Sequence, residues 1–451
     1  MDRNERIADF VTCIRWTDLP EPVRVKIRMS LMDSLGAALS GQLARVSGIA
    51  AEFVSNQESG RRSTILLNGE RAAPALAAFA NASAANALDT DDGLQYAYGH
   101  AGAQIFPTAL ALTEALNMDG SRMLAAMAVG YEVAARVGRC WHDHHEVYQA
   151  CGSWGSVACS AVASNLMGLS REQTVHALGI SEYFSPNAPM MRDVDHPAMV
   201  KHAIGWGAMT GVFSAELASL GYTGIPGIAG FDKYHDWIED IGTTYLLPES
   251  VAWKGLGNAC CAWAHAAMKG ARRLMDENSI RLEDIERIRV EGFTETVRLG
   301  TKLPSTTEEA QFNVAWPVAA MLVDGEVGPR QMLEDRLSDP LVKGLAQKVE
   351  LLECEDLNEL HRLFKIGDKQ GRFAARVTID VKGGRKLESG LVDAGQQFPQ
   401  TDWNERSIEE KFRHLAGFVL KKKALIDKIV DKIWHFEQTV DIAEFISLLK
   451  R

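Results

Sequence analysis

Residues 152–170 read GSWGSVACSAVASNLMGLS, and how this uncharged run is housed decides the fold. It approaches the length of a membrane span, yet Gly, Ser, Ala and Asn make a poor surface for lipid, so the run predicts a helix buried inside protein. A helix without a polar face has to be enclosed by other helices or by a second subunit, and small residues let neighbouring backbones come close. Working outward, the same Ala-, Gly- and Met-rich character holds from Pro22 to Arg273. Behind Pro20 and Pro22, the residues Val23, Ile27, Leu31, Leu35 and Leu39 recur at helical spacing, with proline tolerated in the first turn. Similar patterns predict helices over 45–56, 74–87, 106–116, 122–140, 155–167, 171–178 and 199–220.

The character changes near Asn278. IERIRVEGF (285–293) and RFAARVTIDV (372–381) alternate apolar and charged residues as half-buried strands do. Gly383 and Gly384 then predict a turn into a partner strand over 386–392. Helical patterns cover 308–323 and 340–349, and three more helices follow Ser407. The expected fold is mainly α. A large all-helical domain spans 1–274 and is completed by 403–451 as the C-terminal helices return to it, and a smaller α+β, lid-like domain spans 275–402.

Lys and Arg number 48 against 59 Asp and Glu, a net charge of -11 that disfavours phosphate-backbone binding, so no nucleic-acid partner is expected. Seven cysteines without a C-x-x-C spacing indicate neither a disulfide framework nor a zinc ribbon. The charged start MDRNERIADF lacks the apolar core of an export signal. A cytoplasmic protein with no membrane association is the expectation.

Several constellations can carry chemistry. Asp89, Asp91 and Asp92 end an apolar helix and lead into a glycine-rich loop with His100, where three carboxylates can bind a cation, orient an imidazole or cap a helix. WHDHHE (141–146) holds metal-ligand residue types, with His142 and Glu146 one helical turn apart, but it lacks H-E-x-x-H spacing and no metal is expected there. His145 is predicted to face the same cavity as Gln149. Lys201, at the start of a glycine-bearing helix, can hold a substrate carboxylate, and Arg192 offers a bidentate contact or pairs with Asp193 or Asp195. His265 opens an apolar helix near the domain boundary, where ligand clefts are common.

At these residues the sequence resembles the MmgE/PrpD family. The resemblance is carried by ALDTDDGLQYAYGHAGAQIFPTALALTEAL, GYEVAARVG, SNLMGLSREQTVHALGIS, MVKHAIGWGAMTGVFSAELASLGYTG, WAHAA and FNVAWPVAAMLVDG. It implies an all-helical domain joined to an α+β domain, a homodimer formed through the helical domain, and cofactor-independent chemistry on a small polycarboxylate. It also implies that Asp89 and Asp91 are the acidic pair, His100 the histidine after it, Lys201 the lysine before the G-W helix and His265 the boundary histidine. Gly93 stands where relatives often have Thr or Ser, Gln149 where a second cleft histidine usually sits, and Trp316 where some have tyrosine.

Removing a proton next to a carboxylate builds negative charge that needs fixed cations, a base and often an acid. His100 is the expected base or acid, with His265 opposite. Lys201 with Arg192 is the expected carboxylate clamp, and Asp91 the orienting group. Asp89, Gln149, His145 and Trp316 complete the expected substrate contacts. The leading expectation is a hydro-lyase like 2-methylcitrate dehydratase. An epimerase, isomerase or decarboxylase of a small dicarboxylate is the alternative, and a non-catalytic scaffold with this fold is the alternative of another class.

Overall fold

The structure is a computed structural model, described here for residues 2–57, 60–256, 258–395 and 403–449. Ten helices precede residue 220 and carry labels: α1 (Arg3–Cys13), α2 (Glu21–Gly41), α3 (Arg45–Ser55), α4 (Pro74–Asn86), α5 (Gly102–Ala115), α6 (Gly120–His144), α7 (Cys151–Met167), α8 (Arg171–Tyr183), α9 (Met190–Asp195) and α10 (Ile204–Ser219). The uncharged run is α7, which starts four residues before the apolar pattern suggests. From Cys151 to Leu166 every residue is buried, and α5, α6, α8 and α10 all pack on it. Among the described residues no helix is long and apolar enough to cross a membrane.

Departures from the expected elements have local causes. Helix α5 begins at Gly102, well before Pro107, because Asp92 Oδ1 accepts the Gly102 N–H at 2.9 Å and caps the helix from outside the local sequence. The stretch 199–220 becomes helical only at Ile204, since Lys201, His202 and Ala203 take φ of 28°, 55° and 56°. The stretch 308–323 splits into Thr307–Gln311 and Ala315–Asp324. Asn313 makes the break by donating to Lys302 O and accepting from the Trp316 N–H.

The hairpin forms as expected, Ala374–Val381 against Arg385–Asp393, and Gly383 and Gly384 turn it at φ 87° and 78°. Within this sheet one strand has no alternating sequence pattern: Val349–Glu353 pairs parallel with Ile285–Gly292, giving the order Val349–Glu353, Ile285–Gly292, Ala374–Val381, Arg385–Asp393. Helix Glu355–Lys365 follows it.

Two apolar cores result. One joins α1–α8 and α10 to the C-terminal helices Glu405–Gly417, Lys423–Trp434 and Ile442–Leu449. The other lies among the four-stranded sheet, Ala315–Asp324, Pro340–Ala346 and His265–Asn278. The sequence boundary at 274 would assign His265–Asn278 to the first core, but this helix packs on the hairpin and on Ala315–Asp324. From helix Glu405–Gly417, the fully buried Lys411 Nζ reaches Asp33 Oδ1 at 2.5 Å and Thr90 O at 2.6 Å, which ties the end of the chain to the Asp89–Asp92 loop.

Candidate active site

The Asp89–Asp92 loop leaves α4 with Asp89 in the left-handed region at φ 56°. Its side chains point different ways. Asp92 faces inward, accepting from Gly102 N and from the Tyr131 hydroxyl at 2.5 Å. Burial and the nearby Asp33 push the Asp92 carboxyl up to about 7. The folded state therefore keeps a proton there that the unfolded chain releases near pH 4. Asp92 contributes stability at low pH that is lost as pH rises through about 7, and Asp92→Asn is expected to flatten this decline. Denaturation midpoints compared at pH 5 and pH 8 check it, and a parallel pH dependence in both proteins counts against it.

Asp89 and Asp91 hold His100 from both ring nitrogens. Nδ1 lies 2.8 Å from Asp91 Oδ2 and Nε2 lies 3.4 Å from Asp89 Oδ1. Asn86 donates to Asp91 Oδ1 at 3.0 Å, and its Oδ1 is 3.2 Å from His202 Nδ1. The backbone of His100 is fixed as well: its N–H points at Cys151 Sγ, and Gln104 donates to its carbonyl and to Cys151 O. Lys254 Nζ donates at 2.5 Å to both the carboxylate and the carbonyl of Asp89. Lys201 Nζ stands 3.8 Å from Asp89 Oδ1.

These charges decide the protonation states. Burial alone would raise the Asp89 carboxyl, but Lys254, Lys201, His100 and His202 outweigh it and hold the group below the usual carboxylate range. Asp91 is likewise raised by burial and pulled below its ordinary value by His100. Burial lowers Lys254, and Asp89 more than offsets it, so the ammonium form persists. His202 is held well below its ordinary value by burial and by His100.

His202 owes its place to the strained turn at 201–203, since three successive non-glycine residues at positive φ cost roughly 1–3 kcal/mol each. Asp193 Oδ2 accepts the His202 N–H at 2.7 Å, and Lys201 Nζ is bound to Gln311 Oε1 at 2.5 Å. The rings of His100 and His202 are 5.0 Å apart.

Asp89, His100, His202 and Lys254 border a cavity of about 460 Å³. Tyr98, Arg139, Tyr148, Cys151 and Met190 line its helical side, and Trp263, Glu295, His361, Lys365 and Phe373 line it from the other core. The cavity thus lies between the two cores.

Of the residues singled out in the sequence, Asp89, Asp91 and His100 come together, and His145 borders the same cavity from an exposed position. Lys201 touches Asp89 but borders a separate surface cleft with Asn86 and Trp206, and its ammonium is committed to Gln311. His265 is sealed behind the wall at 1% exposure, with Nε2 on Cys260 O, and burial with the nearby Lys254 lowers it to about 3. Arg192 is exposed and does not line the cavity, and its expected partners are taken: Asp195 pairs with Arg298 and Asp193 with the His202 N–H. Gln149 accepts from Ala188 N and Trp316 donates its indole N–H to Gln331 O, both away from the lining. Helix α6 stops at His144, so His142 and Glu146 do not share a helical face, and His142 Nε2 is instead 2.8 Å from Ala97 O.

One set with metal-ligand geometry occurs among the described residues: Asp89, His100 and His202 bring ligand atoms within 4.8 Å of one another. Two ammonium groups already compensate Asp89, which disfavours a cation at that carboxylate. Lys254, His202, Glu295 and His361 escaped sequence reasoning. Their significance lies in partners 165, 116 and 66 positions away, for which no local pattern exists.

A two-core fold enclosing an acid–imidazole–ammonium cluster defines the class, and the chain belongs to the MmgE/PrpD family. Residues 5–233 match the MmgE/PrpD N-terminal domain and residues 259–435 the C-terminal domain. The chain is similar to the cis-aconitate decarboxylase-like protein oryM of Aspergillus oryzae, 26% identical with 98% of this chain and 96% of the relative covered. It is also similar to the cis-aconitate decarboxylases of Aspergillus terreus (25%, 98% and 95%) and Homo sapiens (25%, 99% and 94%).

Proposed function

We propose that this protein is a cofactor-independent lyase that removes water from a small hydroxylated di- or tricarboxylate. The observation that carries the reading is His100, held by a carboxylate at each ring nitrogen on the wall of the cavity between the cores. Such an imidazole, fixed in place by Asp91 and facing the cavity, can give a proton to a leaving hydroxyl and recover it. Lys254, on the same wall, spends its ammonium on the Asp89 carboxylate and carbonyl, and so fixes the carboxylate that faces the His100 ring. The experiment is a panel of hydroxylated di- and tricarboxylates followed by ultraviolet absorbance and NMR. Appearance of the unsaturated acid supports the reading, and an inert panel defeats it.

A second reading, decarboxylation, is favoured by the relatives that carry this name and align over nearly the whole chain. There His100 protonates carbon as carbon dioxide leaves. Release of carbon dioxide from unsaturated tricarboxylates, with no action on hydroxy acids, selects it. Deuterium uptake without an alkene selects an epimerase instead.

We also read the two cores as the two expected domains, with the boundary moved from 275 to about 259, where the second core's continuous run of residues starts after isolated contributions from Ala44 to Val194. A homodimer through the helical domain fits the exposed stripe of Trp206, Phe213 and Leu217 on α10 and Leu220 just past its end, with Trp206 beside Ile49 and Phe53 of α3. Converting Trp206 and Leu217 to glutamate is expected to give a monomer by light scattering. An unchanged mass contradicts this surface.

A further inference from the structure

The hydro-lyase reading needs two proton transfers, and the sealed position of His265 leaves the second without a group. Glu295, on the short helix Thr294–Leu299, and His361, on helix Glu355–Lys365, form another carboxylate–imidazole pair, with Oε2 to Nδ1 at 2.9 Å. Lys365, one turn after His361, donates to the other oxygen of Glu295 at 2.5 Å. The ring is packed by Phe293 at 4.1 Å, Phe373 at 5.4 Å and Trp263 at 6.3 Å, so its orientation is set. Glu295 takes Nδ1, and Nε2 has no partner among the described residues. Both His361 and His100 border the same cavity, one from each core.

We propose that His361 is the base that removes the carbon-bound proton, acting opposite His100; this role rests on the hydro-lyase reading. His361 Nε2 takes the proton, the electron pair of that C–H bond becomes the second bond of the alkene, and the C–O bond breaks. His100 hands a proton to the departing hydroxyl, which leaves as water. His361 then loses its proton to solvent and His100 regains one. The chemistry matches the surroundings: burial lowers His361 below its ordinary value, which favours the neutral ring a base requires. Glu295, raised by burial but pulled down to about 2 by His361 and Lys365, remains ionised to support the imidazolium that forms. The buried face of the helix that carries His361 also includes Leu357 and Phe364.

The test is His361→Ala and Glu295→Gln in the full-length protein, assayed on the hydroxy acid that the parent turns over. His361→Ala is expected to lower kcat by about 100-fold or more with KM little changed. Added imidazoles are expected to restore rate in order of their basicity, a dependence that a packing role would not produce. Glu295→Gln keeps the ring in place and is expected to lower kcat by about tenfold or more. If His361→Ala does not fold, Glu295→Gln alone decides. Parent-like kcat in the folded variants, or a loss in His361→Ala indifferent to added imidazole, overturns the role of His361. A parent that dehydrates none of the panel removes the hydro-lyase reading and this role together.

Discussion

His100→Asn is expected to lower turnover by about 100- to 10,000-fold, the span associated with losing a positioned proton-transfer group. The size of the effect follows from the geometry. Both nitrogens of this ring are addressed by carboxylates, its backbone is fixed by Cys151 and Gln104, and its side chain is 13% exposed towards the cavity. Asparagine retains a donor for Asp91 Oδ2, so the loop keeps its shape while the transferable proton is gone. Turnover on the active acid, with circular dichroism as the check on folding, measures it. A variant within a few-fold of the parent rate places the chemistry elsewhere.

Lys254→Met is the change with the largest expected effect on stability. Lys254 and Asp89 are 3% and 2% exposed, and removing the ammonium leaves an ionised carboxylate buried with Oδ1 already lacking a hydrogen bond. Breaking such a pair costs about 3–5 kcal/mol, because the surviving charge stays desolvated. Lys201, at 3.8 Å, compensates part of it and favours the lower end of that range. The double variant Lys254→Met with Asp89→Asn, which carries no unpaired charge, is expected to recover most of the loss. Guanidinium midpoints of the parent, single and double variants form the cycle. Equal destabilisation of single and double variants contradicts the pairing.

The helical core was legible because its signal is local. Apolar spacing places α2, α3 and α4 within two residues of their observed ends, and two glycines at positive φ mark the hairpin. Asp89, Asp91 and His100 were legible as well, since a carboxylate cluster followed by a glycine-rich loop is visible in one stretch. Strand Val349–Glu353 was not. It lies at the sheet edge with an exposed Glu350, and only its parallel partner makes it a strand. Lys254 sits in a short apolar stretch where a lysine reads as surface, until Asp89 is placed beside it. Lys201 drew attention through its position before a glycine-bearing helix, yet the strained turn sends that ammonium to Gln311 and brings the neighbouring His202 to the cavity. His265 shows the converse. Proximity to a boundary suggested a cleft, but the ring is buried with Nε2 on Cys260 O.

The most direct measurement is a crystal structure of the protein bound to a small hydroxylated tricarboxylate. The account predicts the acid between the two cores, with His100 Nε2 in hydrogen-bond reach of its hydroxyl. Ligand bound outside this cavity, or inside it with His100 out of reach, contradicts the assignment.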